Sequence, residues 1–419
     1  MRNVLVFAMI LAVLLAGQPV QAGPLNQPVV PGTPKVEAES FVLMDAQSGQ
    51  ILSQRNADEH LAMASITKIM TAVVALEKGN PDADVSVGPA VLDRKRVYGT
   101  LIFLERGEKF TLRDMLYALL MDSANDAAVA IAENISGNVD DFVKLMNDKA
   151  KELGANDTHF TNPHGLSEVG HYSSARDMAV IARYALQKPE FAAIVKTKER
   201  AFPRARPGLP NELQNHNKLL WRYPDADGVK TGYTDQAGHT LVASATRNGR
   251  QLITVILKGT AIATVYRNAG ELFDYGFSQF QDKLLAKKGQ VFQTAKLANG
   301  TLLKLAPDRD VYGTLANEDK AEFELKAEAQ KLDLPIKAGE ERGTLEVYLR
   351  GKLLQRIPLV ATQDLALPAA NVPSHSKVGM QWLLAVPIIL VFSLGMRFIQ
   401  HKQRRARRRS SRWTAWNGD

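Results

Sequence analysis

Ala64-Ser65-Ile66-Thr67-Lys68-Ile69-Met70 opens an amphipathic run over residues 66–76, in which Ile66, Ile69, Met70, Val73, Val74 and Leu76 recur at helical spacing before Gly79 marks a stop. Ser65 falls in the first turn of that expected helix and Lys68 three residues on, so a hydroxyl and an amine share one face. Serine at its free pKa is a weak nucleophile, and a lysine made neutral by desolvation or by a nearby cation can activate it. Taken alone, the pair reads equally as a helix cap followed by a surface lysine. The flanking sequence decides between the two.

Upstream, the apolar runs 41–46 and 51–54 flank Gln47-Ser48-Gly49-Gln50, as a β-hairpin requires. Before them, residues 23–36 carry four prolines and read as a linker. Downstream, Thr111 and Asp114 form a capping box opening a helix over 112–121. A second helix follows over 126–135, after a break at Ser123-Ala124-Asn125, and a third over 140–153 stops at Gly154. Strands return at 228–234, 240–246 and 252–257, the last two joined across Asn248-Gly249. Strands at both ends of one region with helices between imply an α/β (α+β) domain, residues 37–281, whose antiparallel sheet is completed by sequence-distant pieces and flanked by a mostly helical insertion. Short β-like runs separated by Gly, Pro and charged turns make residues 282–362 a small all-β domain, and 363–377 reads as a second linker.

The chemistry-bearing residues cluster in three places. Ser123 and Asn125 sit at a helix break, where a loop offers a hydroxyl and an amide to a cleft. Lys230-Thr231-Gly232, followed by Thr234, lies on a strand; there glycine admits a substrate backbone, threonine hydroxyls can hold a carboxylate and lysine supplies a positive field. The chain has no cysteine, which excludes thiolate catalysis, disulfides and Cys-based zinc sites. Of its eight histidines the best-placed pair, His164 and His171, spans a Gly-containing break without a metal-ligand spacing, so a loop-structuring role is expected and neither metal nor cofactor.

Ser65-x-x-Lys68, Ser123-x-Asn125 and Lys230-Thr231-Gly232, in this order, resemble the three motifs of the penicillin-recognising serine acyltransferases, with their DD-peptidase/β-lactamase-like fold. The text around them, ASITKIM (64–70), NPHGL (162–166), YSSARDM (172–178) and DGVKTGYT (227–234), resembles the low-molecular-weight penicillin-binding proteins that are D-alanyl-D-alanine carboxypeptidases, peptidase family S11. That resemblance implies hydrolysis of the terminal D-alanine from peptidoglycan stem peptides through a Ser65 acyl-enzyme, which β-lactams would also form. It implies Lys68 as base, Ser123 as proton relay, Asn125, Lys230, Thr231, Gly232 and Thr234 as substrate-binding residues, and the backbone N–H groups of Ser65 and Tyr233 as the oxyanion hole. Ala124 and Tyr233 depart from residues frequent in the group, and His216 stands near a position where some relatives carry a carboxylate-binding arginine. Two other readings stay open. Glu152 and Asn156 have the Glu-x-x-x-Asn spacing of a class A β-lactamase, and a catalytically silent wall-binding protein would use the same cleft.

The ends concern location. Residues 1–22 read as an export signal, with Arg2, an apolar stretch and the small-residue site Val20-Gln21-Ala22. Residues 378–396 lack any charge and as a helix would reach roughly 28 Å, so a transmembrane helix is expected over 378–399. Eight cations follow Met396 and account for the net charge of +8, which leaves no basic face for nucleic acid. They make 400–419 a cytoplasmic tail touching anionic membrane lipid, with the catalytic domain on the outer, cell-wall side.

Overall fold

The structure, a computed structural model, describes residues 32–93, 95–204, 208–330, 332–366, 396–399 and 402. The export signal, the expected membrane helix apart from 396–399, and the tail apart from Lys402 lie outside the described residues. Among those described, no helix is long and apolar enough to cross a membrane.

The chain begins with β1 (Ala38–Asp45) and β2 (Ile51–Arg55), paired antiparallel as the hairpin pattern requires. A single 3-10 turn, Ala64–Thr67, leads into α1 (Lys68–Lys78). Then come α2 (Leu112–Leu120), α3 (Asn125–Ser136), α4 (Val139–Glu152), α5 (Ala175–Leu186) and α6 (Pro189–Lys196). The sheet resumes with β3 (Ala226–Thr234), β4 (Gly238–Arg247) and β5 (Arg250–Gly259), and α7 (Ile262–Gln279) follows. The five strands are ordered β2-β1-β5-β4-β3, so β1 pairs with a strand more than 200 residues downstream and β3 is left at an edge. Short ribbons, Asp84–Ser86 with Lys109–Thr111 and Glu199–Ala201 with Glu212–Gln214, brace the helical lobe.

Both faces of this sheet are covered, which explains why its strands read as continuous apolar runs rather than as an alternation. On one face Val42, Met44, Val242, Ile253, Val255 and Leu257 join the core of α1 to α6. On the other, Phe41, Leu43, Leu241, Ala243, Leu252 and Ile256 pack on Val265, Ala269, Leu272 and Phe273 of α7. Local signals hold in detail. The Thr111 hydroxyl accepts the Asp114 N–H at 3.1 Å, and Asn248 and Gly249 both have positive φ in the β4–β5 turn. The first helix differs from expectation: α1 begins at Lys68, two residues late, because the chain tightens into a 3-10 turn around Ser65. Helices α5, α6 and α7 had not been read from the sequence.

A second, all-β region begins with β6 (Phe280–Ala286), β7 (Gln293–Lys296) and β8 (Leu302–Pro307), and continues with β9 (Val311–Ala316), β10 (Phe323–Ala329), β11 (Glu341–Leu349) and β12 (Lys352–Ala361). Five of these form a sheet ordered β7-β8-β12-β11-β10, and β6 pairs with β9. Leu303, Leu305, Leu345, Val347, Ile357 and Leu359 are among its buried residues. Residues 333–337 and 364–366 cluster together, and Ile336 bridges Leu365.

The joint between the two sheets is polar and dry. Buried Asp45 receives Arg250 Nε at 2.9 Å, and the same nitrogen lies 3.1 Å from Asp282 of β6. Thr314 of β9 donates to Asp282 and meets the Ser48 hydroxyl at 2.7 Å. Burial, and then the neighbouring Asp45, push the Asp282 carboxyl up to about 7.

Phe273→Ala should cost about 3–5 kcal/mol, because it empties a fully buried site between sheet and α7. Urea unfolding followed by circular dichroism measures that loss.

Candidate active site

The site begins at the 3-10 turn. Ala64 has φ +49°, a left-handed conformation that costs a non-glycine residue about 1–2 kcal/mol. Two glycines close around it. A Cβ on Gly165 would lie 2.0 Å from the Ala64 carbonyl oxygen, and one on Gly232 of β3 would lie 2.7 Å from the Ser65 nitrogen. Loop and edge strand therefore press on the turn from two sides, and only glycine fits at either point.

One turn on, Lys68 is fully buried at the start of α1. Its Nζ lies 3.0 Å from Ser65 Oγ, 2.6 Å from Asn125 Oδ1 and 2.5 Å from the His164 carbonyl oxygen. Burial drives its pKa well below the lysine range, Lys230 pushes it further, and Asp126 partly opposes them. In its neutral form the amine can send two protons to the Asn125 and His164 oxygens, which only accept, and keep its lone pair for the Ser65 O–H. That is the arrangement of a base beside a nucleophile.

Ser123 and Asn125 occupy the break between α2 and α3 and are both buried. Ser123 adopts φ +63°, and Asn125 is oriented by donating to the Tyr98 carbonyl while accepting from Lys68. The next residue, Asp126, accepts the N–H groups of Ile102 and Leu104 at 3.2 and 3.0 Å and so ties the 98–104 loop to α3.

On β3, Lys230 is 1% exposed and donates to the Thr231 carbonyl, and burial lowers its pKa to about 7 against the pull of Asp122. Thr234 Oγ1 meets Ser167 of the 162–172 loop at 3.0 Å. The Tyr233 side chain turns outward, packs beside His239 and donates to Asp235. His216 lies 3.2 Å from Asp122, beside the Ser123 break, with no described bond to Thr234.

Ser65, Lys68 and Asn125 are thus directly linked, Gly232 abuts them, and Lys230 acts on Lys68 through its field. Glu152 is elsewhere. It ends α4 and pairs with Lys149, which also holds Glu77, and Glu77 lies about 13 Å along α1 from Lys68. Several residues that shape the site carried no sequence signal as such: Asp126, Asp122, Tyr98 through its carbonyl, and Thr67. His171, expected to structure its loop, does more than that. It is buried, with Nε2 2.8 Å from Thr67 Oγ1.

Comparisons with known proteins agree with this geometry. A family described as D-alanyl-D-alanine carboxypeptidase matches residues 27–261, and one described as the penicillin-binding protein 5 C-terminal domain matches 280–366. The chain is 37% identical to the D-alanyl-D-alanine carboxypeptidase DacF of Bacillus subtilis, over 78% of this chain and 86% of that one. It is 34% identical to DacA of Escherichia coli, over 82% and 87%. The solved structure of penicillin binding protein 5 from Haemophilus influenzae aligns with a TM-score of 0.65 at 32% identity, over 80% of this chain and 99% of that one.

Burial holds His164 near 3 and His171 near 4, below the unfolded value of about 6.5. The stability they confer is complete above pH 6.5 and is lost as pH falls through 6.5 toward 4. Wild type should therefore lose a few kcal/mol more than His171→Gln between pH 7 and 4. Urea midpoints at the two pH values test this.

Proposed function

This chain belongs to the D-alanyl-D-alanine carboxypeptidase family, and we propose that it removes the terminal D-alanine of peptidoglycan stem peptides by serine acyl transfer. The observation that carries the reading is the 3.0 Å contact of buried Lys68 Nζ with Ser65 Oγ, with acceptor-only oxygens on the other sides of the amine. In this reading Lys68 takes the Ser65 proton as Oγ attacks the carbonyl between the two D-alanines. The oxyanion is held by the Ser65 and Tyr233 N–H groups. The proton passes through Ser123 to the leaving nitrogen, D-alanine departs, and water, deprotonated by the same amine, attacks the ester and frees the shortened peptide and Ser65. Asn125 orients the acyl side, while Lys230, Thr231 and Thr234, with His216 nearby, face the terminal carboxylate. The edge position of β3 supports this placement, since an extended peptide can align there as an added strand, while Gly232 lets that strand lie against the Ser65 turn. β-Lactams acylate the same serine.

We further place the catalytic domain at 37–281 and the β domain at 282–362. The patterns at 1–22 and 378–399 support export and anchoring in the cytoplasmic membrane, with the cleft on the wall side. Deleting 378–419 should then move the protein from the membrane pellet to the soluble fraction.

Purified protein should release D-alanine from a D-Ala-D-Ala pentapeptide and be labelled stoichiometrically by a fluorescent penicillin, with both abolished in Ser65→Ala. Labelling without release marks a silent binding protein, and rapid turnover of a chromogenic cephalosporin without release marks a β-lactamase. Because the Lys230 charge lowers the Lys68 pKa, Lys230→Met should shift the acid limb of the acylation rate to higher pH. Stopped-flow acylation across pH 5–9 measures it.

A further inference from the structure

His171 contributes no group to the chemistry above, yet it is buried against the turn that carries the nucleophile. The Thr161 N–H donates to its Nδ1 at 3.0 Å, which makes Nδ1 an acceptor and puts the ring proton on Nε2. Nε2 in turn lies 2.8 Å from Thr67 Oγ1, and the Thr67 hydroxyl donates to the Ala64 carbonyl at 2.8 Å. The result is a directed chain from His171 Nε2–H to Thr67 O–H to the Ala64 oxygen. It ends on the peptide plane whose other face is the Ser65 N–H. Because that plane is rigid, fixing the carbonyl fixes where the N–H points. Ala64 also sits at φ +49°, so the plane is held against its own preference.

The base of the chain is firm. His159 and Tyr172 exchange backbone bonds on one side of His171, and Leu61 and Ser173 do so two residues further on. Gly165 leaves the space through which the loop reaches the Ala64 carbonyl.

We propose that His171 is a positioning residue for acyl transfer: through Thr67 it aims the Ser65 N–H at the developing oxyanion and holds Oγ against Lys68. This rests on the serine acyl-transfer reading of the same site. The ring is neutral over the working range, since burial keeps it near 4, and both its nitrogens are occupied. Glu168, His159, Lys68 and His164 are the charged or titratable groups that act on it among the described residues.

The test is acylation by a fluorescent penicillin and D-alanine release from a pentapeptide, on full-length protein, with rates normalised to acylable sites. His171→Ala and Thr67→Val should each lower the saturating acylation rate and kcat about 10- to 100-fold while KM stays within about twofold, a loss on the scale of a weakened oxyanion donor. His171→Gln and Thr67→Ser, which keep a donor and a hydroxyl, should stay within about threefold of wild type, and the double variant His171→Ala/Thr67→Val should be no slower than either single one. Equal rates for His171→Ala and wild type per acylable site, with only an earlier melting temperature, would overturn the proposal. So would equal damage from Ala and Gln. If His171→Ala does not fold, Thr67→Val against Thr67→Ser decides. If wild type neither takes penicillin nor releases D-alanine, it is the acyl-transfer reading that fails.

Discussion

The burial of Lys68 is the constraint on which the site depends. An ammonium withdrawn from water without a counter-charge is costly, and the cheaper state of the group is the neutral amine. The surroundings are built to that end. The carboxylate that acts on it, Asp126, is occupied by backbone N–H groups of the 98–104 loop, and a second lysine, Lys230, adds a like charge. Among the described residues, Nζ bonds to a hydroxyl, an amide oxygen and a peptide carbonyl and to no anion. Keeping water away takes three separate pieces of chain, namely the α2–α3 break, the 162–172 loop and the edge strand β3. That is why the motif residues are spread over 170 positions of sequence and meet in one place.

Local chemistry was legible and distant pairing was not. The β1–β2 hairpin, the Thr111–Asp114 cap, the Asn248-Gly249 turn and the stop at Gly154 each depend on a few consecutive residues, so each shows in the text. The placement of β1 beside β5 depends on tertiary packing, and only the general need for a sheet partner pointed to it. Helix α7 has apolar residues at helical spacing, Val265, Ala269, Leu272 and Phe273, and this signal went unread between two strand-rich stretches. In the site, the residues that carry charge or a hydroxyl toward the reacting atoms stood in recognisable motifs. Those that orient them, such as Asp126 and Thr67, act through backbone atoms of other residues. Their partners are known only once the chain is folded.

The polar joint between the sheets is organised on similar lines. Asp45 and Asp282 share one guanidinium, and burial keeps the second carboxyl protonated into the neutral range, so one cation suffices for two acids. The hydroxyls of Ser48 and Thr314 add directional bonds rather than charge to the network. A joint of this kind specifies how the end of β1 meets β6 more sharply than apolar packing would, because a displaced contact leaves more buried groups unpaired.

The strand order β2-β1-β5-β4-β3 bears on how the protein is made. A chain emerging from its N-terminus presents β1 and β2 early, but the second partner of β1 ends only at Gly259, and β3, which supports the nucleophile turn, is itself held by β4. Ser65 and Lys68 are synthesised long before the strands that make them reactive. A nascent or truncated chain lacking β3 to β5 therefore carries a solvated lysine and an ordinary serine, and the enzyme is silent until its sheet closes.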